Sequence, residues 1–185
     1  LSIFILIILF GYFGYYLESK EKKRILLSEN YIQAKIYLAN EDKVKALNIL
    51  KKIVFANDPA YSTLSFFMII NQNLVSDYNE VSDLFNYLLA NNKFDKEIKD
   101  LLVYKKALFN SNYVNESELL QEIKPLLSGE TLWKPHALLL LGDYFLSKKE
   151  YLKAKEFYMQ ILYIKDLQKD LYDKAKFQLA FISDD

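Results

Sequence analysis

Several residue types that carry catalytic chemistry, or that interrupt helices, are rare or absent in this chain of 185 residues. Cysteine is absent, which excludes disulfides, thiolate nucleophiles and zinc–thiolate sites. Only four glycines and three prolines occur, so the composition favours helices joined by short loops. There is one histidine, and no glycine-rich phosphate loop or paired-histidine motif is present. An enzymatic function is therefore not expected, nor is any cofactor or metal.

The chain also has no excess of positive or negative charge. Lys and Arg total 24, as do Asp and Glu, so the formal net charge is zero. A nucleic-acid-binding chain needs a basic surface to neutralise phosphates, and no segment combines basic residues with interleaved aromatics. We therefore expect no nucleic-acid partner, and a fold held together by packing alone.

A long uncharged run stands at the start. Residues 1–17 carry no charge, and residues 18–24 then place six charges in seven positions. As a helix the run reaches about 25 Å, close to a hydrocarbon core of ~30 Å. Four aromatics between residues 12 and 16 are typical of a membrane interface. These features predict a transmembrane anchor at 1–17, extended by residues upstream of Leu1, and a charged juxtamembrane segment at 18–24.

This run has two other interpretations. A cleaved signal peptide needs small residues at the cut, which the sequence from Gly14 to Lys20 does not offer. A buried core helix fits poorly with an apolar run that ends in aromatics. The orientation stays open, because the four basic residues between 20 and 24 would by themselves keep this flank cytoplasmic.

From Ile25 onward, apolar residues recur at intervals of three and four, which predicts amphipathic helices and no strands. Short polar interruptions divide the chain into nine helices of about 12 to 18 residues. The expected helix starts are Asp58 followed by Pro59, and the capping-box spacings Asp77 with Glu80, Asn115 with Glu118, and Ser147 with Glu150.

A spacing of twelve between small residues recurs along the chain. It allows two consecutive antiparallel helices to approach closely. The pairs are Gly142 with Ala154, Ala34 with Ala46, and more loosely Ile70 with Ser82 and Ala107 with Leu119. Their first members, at 34, 70, 107 and 142, lie 36, 37 and 35 residues apart. This pattern resembles the tetratricopeptide repeat. It predicts an all-α fold in which the anchor precedes an α-solenoid domain at 25–185, built from about four degenerate helix pairs and closed by a C-terminal capping helix.

An anchor followed by four repeats, with Trp133-Lys134-Pro135 opening the last pair and the sequence 175–180 closing the chain, resembles a bacterial family. The family is the tetratricopeptide-repeat-like ancillary subunit of the SecYEG translocon in its alphaproteobacterial form. The resemblance implies a single-pass inner-membrane protein whose repeat domain faces the periplasm. It also implies protein partners: translocon components, secreted proteins or periplasmic chaperones.

The repeat pattern further implies a protein-binding groove lined by the first helix of each pair. The residues expected to face it are Tyr31, Lys35, Phe67, Asn71, Tyr104, Leu108, His136, Leu139 and Asp143. Neighbouring helices could instead cover Tyr31, Phe67 and Tyr104 and fill the groove. The single histidine, His136, is expected to pack or to face solvent rather than to catalyse. An anchored structural protein that organises envelope or cell-division assemblies by homo-oligomerisation is the alternative function.

Overall fold

A computed structural model describes the backbone of residues 2–183 and the side chains of residues 11–182. Within these residues every regular element is a helix and no strand occurs, as the periodicity predicts. The helices are α1 (Ser2–Ala39), α2 (Lys43–Val54), α3 (Pro59–Asn71), α4 (Tyr78–Asn91), α5 (Lys96–Asn110), α6 (Glu116–Ser128), α7 (Lys134–Ser147), α8 (Tyr151–Leu162) and α9 (Lys169–Ser183).

The helices form two compact units, and each has its own interior. The first unit ends at Lys93 and the second begins at Phe94. In the first unit α1 packs on α2 and α3, and α3 packs on α4. In the second, each of the helices α5 to α8 packs on its successor, while α7 also contacts α5 and α9. This succession of neighbouring helices is repeat-like in both units.

The transmembrane anchor predicted over residues 1–17 is contradicted. Among the described residues, no helix is both long enough and apolar enough to cross a membrane. The uncharged stretch with described side chains is 11–17. Beyond it α1 continues without a break through the charged residues 18–24 into the first repeat helix.

The side chains of residues 1–10, on which this prediction also rested, lie outside the described residues. The inner-membrane localisation that the resemblance implies, with a single pass and a periplasmic domain, requires this anchor. It is corrected together with the anchor.

Helix starts at which an N-cap side chain binds backbone N–H groups lie where the sequence predicts them. Asp58 precedes Pro59 and accepts hydrogen bonds from the N–H groups of Ala60 and Tyr61, at 3.1 and 3.0 Å. Asp77 accepts from the N–H of Glu80 at 2.8 Å. Asn115 and Glu118 form a full capping box, since each side chain accepts from the other residue's N–H.

The capping box predicted for Ser147 and Glu150 is wrong. Ser147 belongs to the last turn of α7, where its hydroxyl donates to the carbonyl of Tyr144 at 2.7 Å. Glu150 is itself the residue that precedes α8, and it makes no side-chain cap. At this junction a backbone turn satisfies carbonyl groups at the end of α7, and the start of α8 has no side-chain cap.

This turn is of the Schellman type and occurs after α1, α3 and α7. The residue beyond the helix cap is Glu41, Asn73 or Lys149, with φ of 62°, 48° and 61°. After α7, the N–H of Lys149 donates to the carbonyl of Leu146, and the next N–H donates to that of Phe145, both at 2.9 Å. A residue with a Cβ in this left-handed conformation costs roughly 1–2 kcal/mol, so Glu41 and Lys149 carry local strain.

Replacing Lys149 by glycine is expected to raise the free energy of unfolding by about 0.5–1 kcal/mol, because glycine adopts positive φ without a steric cost. The matched control is Lys148→Gly, since the neighbouring exposed lysine has a φ of −86°. It should lower stability by about the same amount. Urea denaturation followed by circular dichroism checks the pair, and a shift of both variants in the same direction contradicts the assignment.

The interior of the first unit is built around the small residues of α1 and α2 and the aromatic rings of α3 and α4. Ala34 and Ala46 are completely buried. Phe66 and Phe85 meet edge to face with centroids 4.4 Å apart, and both are almost fully buried. Small buried residues therefore belong to the α1–α2 pair, and ring packing joins α3 to α4.

The interior of the second unit centres on α7, which buries eight of its residues. Its tightest contact is with α8. A Cβ added at Gly142 would lie 2.7 Å from Cδ1 and 2.8 Å from Cζ of Tyr158, so only glycine fits against this ring. Tyr158 is completely buried, and its hydroxyl donates to Asp143 Oδ1 at 2.7 Å. Ala154, one turn earlier on α8, is also completely buried.

The helices α5 and α6 are joined by apolar and polar contacts together. Ala107 and Leu119 are fully buried against the interior. Beside them Lys106 pairs with Glu122 at 2.6 Å, and the Asn110 amide donates to both carboxylate oxygens of Glu122 at 3.1 and 2.9 Å. The polar cluster is mostly shielded from solvent, so each of its members depends on the others.

Gly142→Ala should destabilise the second unit by about 1–3 kcal/mol, because the added methyl group overlaps the Tyr158 ring. Combining it with Tyr158→Leu gives the control. The double variant should lose less stability than the sum of the two single changes, since the smaller side chain makes room for the methyl group. Chemical denaturation of all four proteins measures this coupling, and strict additivity would argue against the close approach.

Candidate protein-binding site

A cleft of ≈ 850 Å³ opens at one end of α7 in the second unit. Its walls come from the segment before α7, the first turn of α7, the turn between α8 and α9, and the first turns of α5 and α9. The lining residues are Glu97, Gly129, Glu130, Thr131, Leu132, Trp133, Lys134, Pro135, His136, Ile164, Lys165, Asp166, Leu167, Gln168 and Leu171. Apolar side chains thus line much of the wall, and charged residues stand among them.

Hydrogen bonds fix the segment before α7. Lys96 donates to the carbonyl of Glu130 at 2.8 Å and pairs with Asp100 at 2.7 Å. The Thr131 hydroxyl accepts from the N–H of Trp133 at 3.2 Å and also bonds Asp100. Burial raises the pKa of Asp100, but the hydrogen bonds from Lys96 and Thr131 outweigh it and leave that pKa below its usual value. The loop is therefore held to α5 in a defined position.

Three aromatic rings meet beside the cleft, and two of them, Trp133 and His136, line it. Trp133 stacks on Tyr104 with centroids 5.5 Å apart and an angle of 23° between the ring planes. His136 contacts both rings, at 5.1 Å from Trp133 and 5.6 Å from Tyr104. Such pairs are favourable beyond the area they bury, by roughly 0.5–1.5 kcal/mol each. We refer to Tyr104, Trp133 and His136 as the aromatic cluster.

The cluster shifts the titration of two of its members. Burial raises the pKa of Tyr104, and the nearby Asp143 carboxylate raises it further. Burial lowers the pKa of His136 below that of a free histidine, and Lys105 adds to the effect, whereas the Leu132 carbonyl opposes it. Both groups are therefore neutral at pH 7.

In the second unit the structure brings together some of the residues predicted to line a groove. Tyr104 and His136 touch within the aromatic cluster. Leu139 is buried in the interior, with 6% of its surface exposed, and Leu108 is partly exposed. Asp143 accepts from the Tyr158 hydroxyl, and its other oxygen lies 3.9 Å from the Lys174 ammonium. Two of the five residues thus have structural roles inside the unit.

The predicted residues of the first unit form a looser set. Tyr31 meets Tyr61 edge to face at 6.3 Å, and burial raises the pKa of Tyr31. Phe67 is half-buried, while Lys35 and Asn71 are exposed. A shallow cleft of ≈ 710 Å³ lies nearby, and it is lined by Leu17, Lys20, Glu21, Arg24, Ile25, Ser28 and Tyr61. None of the four predicted residues lines it.

Sequence reasoning missed most of the cleft in the second unit. Leu132, Ile164 and Leu167 line it but lie in turns, outside the positions that the repeat pattern assigns to a groove. Trp133 was noted only as part of the resemblance. The signal that the sequence offers is the single tryptophan beside a leucine, immediately before a proline-initiated helix.

Over the described part of the chain, no group of three or more His, Asp or Glu side chains is placed to hold a metal ion. No family model matches the sequence, and neither a curated protein nor a solved structure is detectably similar to it. The cleft and the fold that positions it are therefore the basis for assigning a function.

The stacked pair predicts the effect of Tyr104→Leu. Losing the ring contacts with Trp133 should cost roughly 0.5–1.5 kcal/mol of stability and shift the emission of this single tryptophan to longer wavelength as water reaches it. Tyr163→Leu is the matched control, because Tyr163 is 79% exposed and lies outside the cleft. Fluorescence spectra of the folded proteins check both, and an unchanged spectrum in Tyr104→Leu contradicts the stacking.

Proposed function

We propose that this chain is a helical-repeat protein that binds other proteins, and that the cleft of the second unit is its contact surface. The observation that carries the proposal is the combination of an apolar, aromatic wall with charged residues around it. Leu132, on this wall, is 75% exposed, so a large apolar side chain is held at the surface without a partner. An apolar centre within a polar rim is typical of protein interfaces.

The charges around the cleft support a protein partner. Glu97, Lys134, Lys165 and Asp166 form no ion pair within the described residues, although carboxylates and ammonium groups line the same cleft. Charges of both signs, left unpaired beside an apolar surface, are available to pair with complementary charges on a partner. The cleft volume is enough to accept one or two large side chains.

The proposed partners are those that the family resemblance implies: translocon components, secreted proteins or their chaperones. Such partners present extended or partly folded segments with exposed apolar side chains. An aromatic cluster held by hydrogen bonds can receive these side chains without large rearrangement, which lowers the entropic cost of binding. We propose no enzymatic activity.

Self-association is a second candidate, because α8 carries an exposed apolar stripe. Leu152 and Met159 lie seven residues apart on the outer face of this helix, and Tyr163 follows at its C-terminal cap. Leu152 is 82% exposed. A second copy of the chain could cover the stripe, which matches the alternative of an oligomeric structural protein. The stripe and the cleft share no residue, so substitutions separate the two functions.

Leu132→Lys is expected to weaken partner binding by about tenfold, because it places a charge on the apolar wall. Leu152→Lys is the matched control, since it makes the same change at an equally exposed leucine outside the cleft. Affinity capture from an extract of the source cells, quantified by mass spectrometry, should show a set of proteins that Leu132→Lys loses and Leu152→Lys retains.

Sedimentation of the same three proteins tests the second candidate. The second candidate is favoured if the wild type is an oligomer that Leu152→Lys dissociates and if Leu132→Lys does not affect partner capture. That result would overturn the proposal that the cleft is the contact surface. Because both leucines are largely exposed, neither substitution should change the urea midpoint by more than a small amount.

A further inference from the structure

His136 occupies an unusual position in the aromatic cluster. Its ring packs against Trp133 and Tyr104, and it also lines the cleft. The Nδ1 atom is completely buried. One protonatable ring therefore forms part of the apolar contact and part of the surface that a partner would touch.

Several elements contribute charged groups to the cleft that His136 lines. The α5 helix contributes Glu97, and the segment before α7 contributes Glu130. The first turn of α7 contributes Lys134, and the turn between α8 and α9 contributes Lys165 and Asp166. Tyr104 is neutral in the range where histidine titrates. Asp143, farther along α7, acts on Tyr104 but binds the Tyr158 hydroxyl, and Asp100 of α5 is paired with Lys96. Lys105 acts on His136 itself, and its positive charge disfavours an imidazolium.

Protonation changes what this ring requires. A neutral imidazole presents one N–H and one bare nitrogen, whereas the imidazolium carries a charge and two N–H donors that need partners or water. Holding that charge against Trp133 and Tyr104, with Nδ1 shielded from water, is costly. The contacts with Tyr104 and Trp133 are inclined, at 67° and 47° between ring planes, rather than stacked.

We propose that His136 makes the cleft proton-sensitive: the neutral imidazole completes the aromatic cluster, and the imidazolium leaves it and alters the binding wall. This inference rests on the proposed function of the cleft and adds its regulation. In acid, the charged ring turns toward water, Trp133 loses a neighbour, and the apolar wall shrinks.

The burial of His136 sets the direction of the pH dependence. Because burial lowers the pKa of His136 in the folded chain, the stability that its neutral packing contributes is fully present above the pKa of the unfolded chain. It is lost as the pH falls through the lower, folded value. The cleft should therefore be intact at neutral pH and change only in acid.

The chain contains one histidine and one tryptophan, so both can be observed directly in the full-length protein. Proton NMR of the imidazole gives the titration of His136 in buffer and in concentrated urea. Tryptophan fluorescence gives the response of Trp133 over the same range. The neutral dye Nile red reports the apolar wall, and Leu132→Lys identifies the part of its emission that comes from the cleft.

The expected result has three parts. His136 titrates at lower pH in the folded chain than in urea, Trp133 emission changes with the same midpoint, and cleft-bound Nile red is released with it. In His136→Gln the Trp133 and dye transitions at this midpoint disappear, while Leu152→Lys leaves them unchanged.

If the pKa of His136 in the folded chain equals or exceeds its pKa in urea, the proposal is overturned, since contact with the ring faces would then favour the charged form. If His136 titrates at lower pH than in urea but Trp133 emission stays constant, the proposal is also overturned, because the cluster would not respond to protonation. If His136→Gln does not fold, the wild-type comparison alone decides. If no partner is captured but the aromatic cluster still responds to protonation, the proposed function is contradicted. The proton response of the cluster is then still supported.

Discussion

The close approach of α7 and α8 is the constraint on which the second unit depends. Gly142 leaves room for the completely buried ring of Tyr158, and the hydroxyl of that ring is bound by Asp143 on the next position of α7. A large aromatic side chain thus buries its apolar area while its polar atom stays satisfied. Because Lys174 of α9 lies beside the same carboxylate, one group on α7 links three helices.

This packing also positions the cleft. With α7 fixed along its length by α8, its first turn holds His136 against Tyr104 of α5 and Trp133 just before the helix. The turn between α8 and α9 then brings Ile164 and Leu167 to the opposite wall. The site is therefore made of turns mounted on a rigid helix, an arrangement in which binding residues commonly occur.

The parts of the fold that rest on local chemistry could be predicted from the sequence. The helices, and the caps at Asp58, Asp77 and Asn115, follow from periodicity and from side chains acting on nearby N–H groups. The cap at Ser147 failed because α7 includes Ser147 and ends in a backbone turn at Lys149, so the residue that precedes α8 is Glu150. Local patterns do not show which of two competing turns is used.

Features that depend on tertiary packing were harder to predict. The anchor failed because apolar composition was taken as a span, whereas no described helix meets the length and apolarity that crossing requires. The cleft was missed because its walls, at Trp133 and Leu167, lie far apart in sequence and meet only through the path of α8. Asp143 was assigned to a groove by repeat position, although its carboxylate binds Tyr158.

The central claim, that the cleft binds a protein, is tested most directly by hydrogen exchange on the full chain with and without a captured partner. The account predicts that binding slows exchange in residues 129–136 and 164–171, the two walls of the cleft, and leaves α8 unchanged. Slowed exchange confined to α8 or to α1, with both walls of the cleft unaffected, would contradict it.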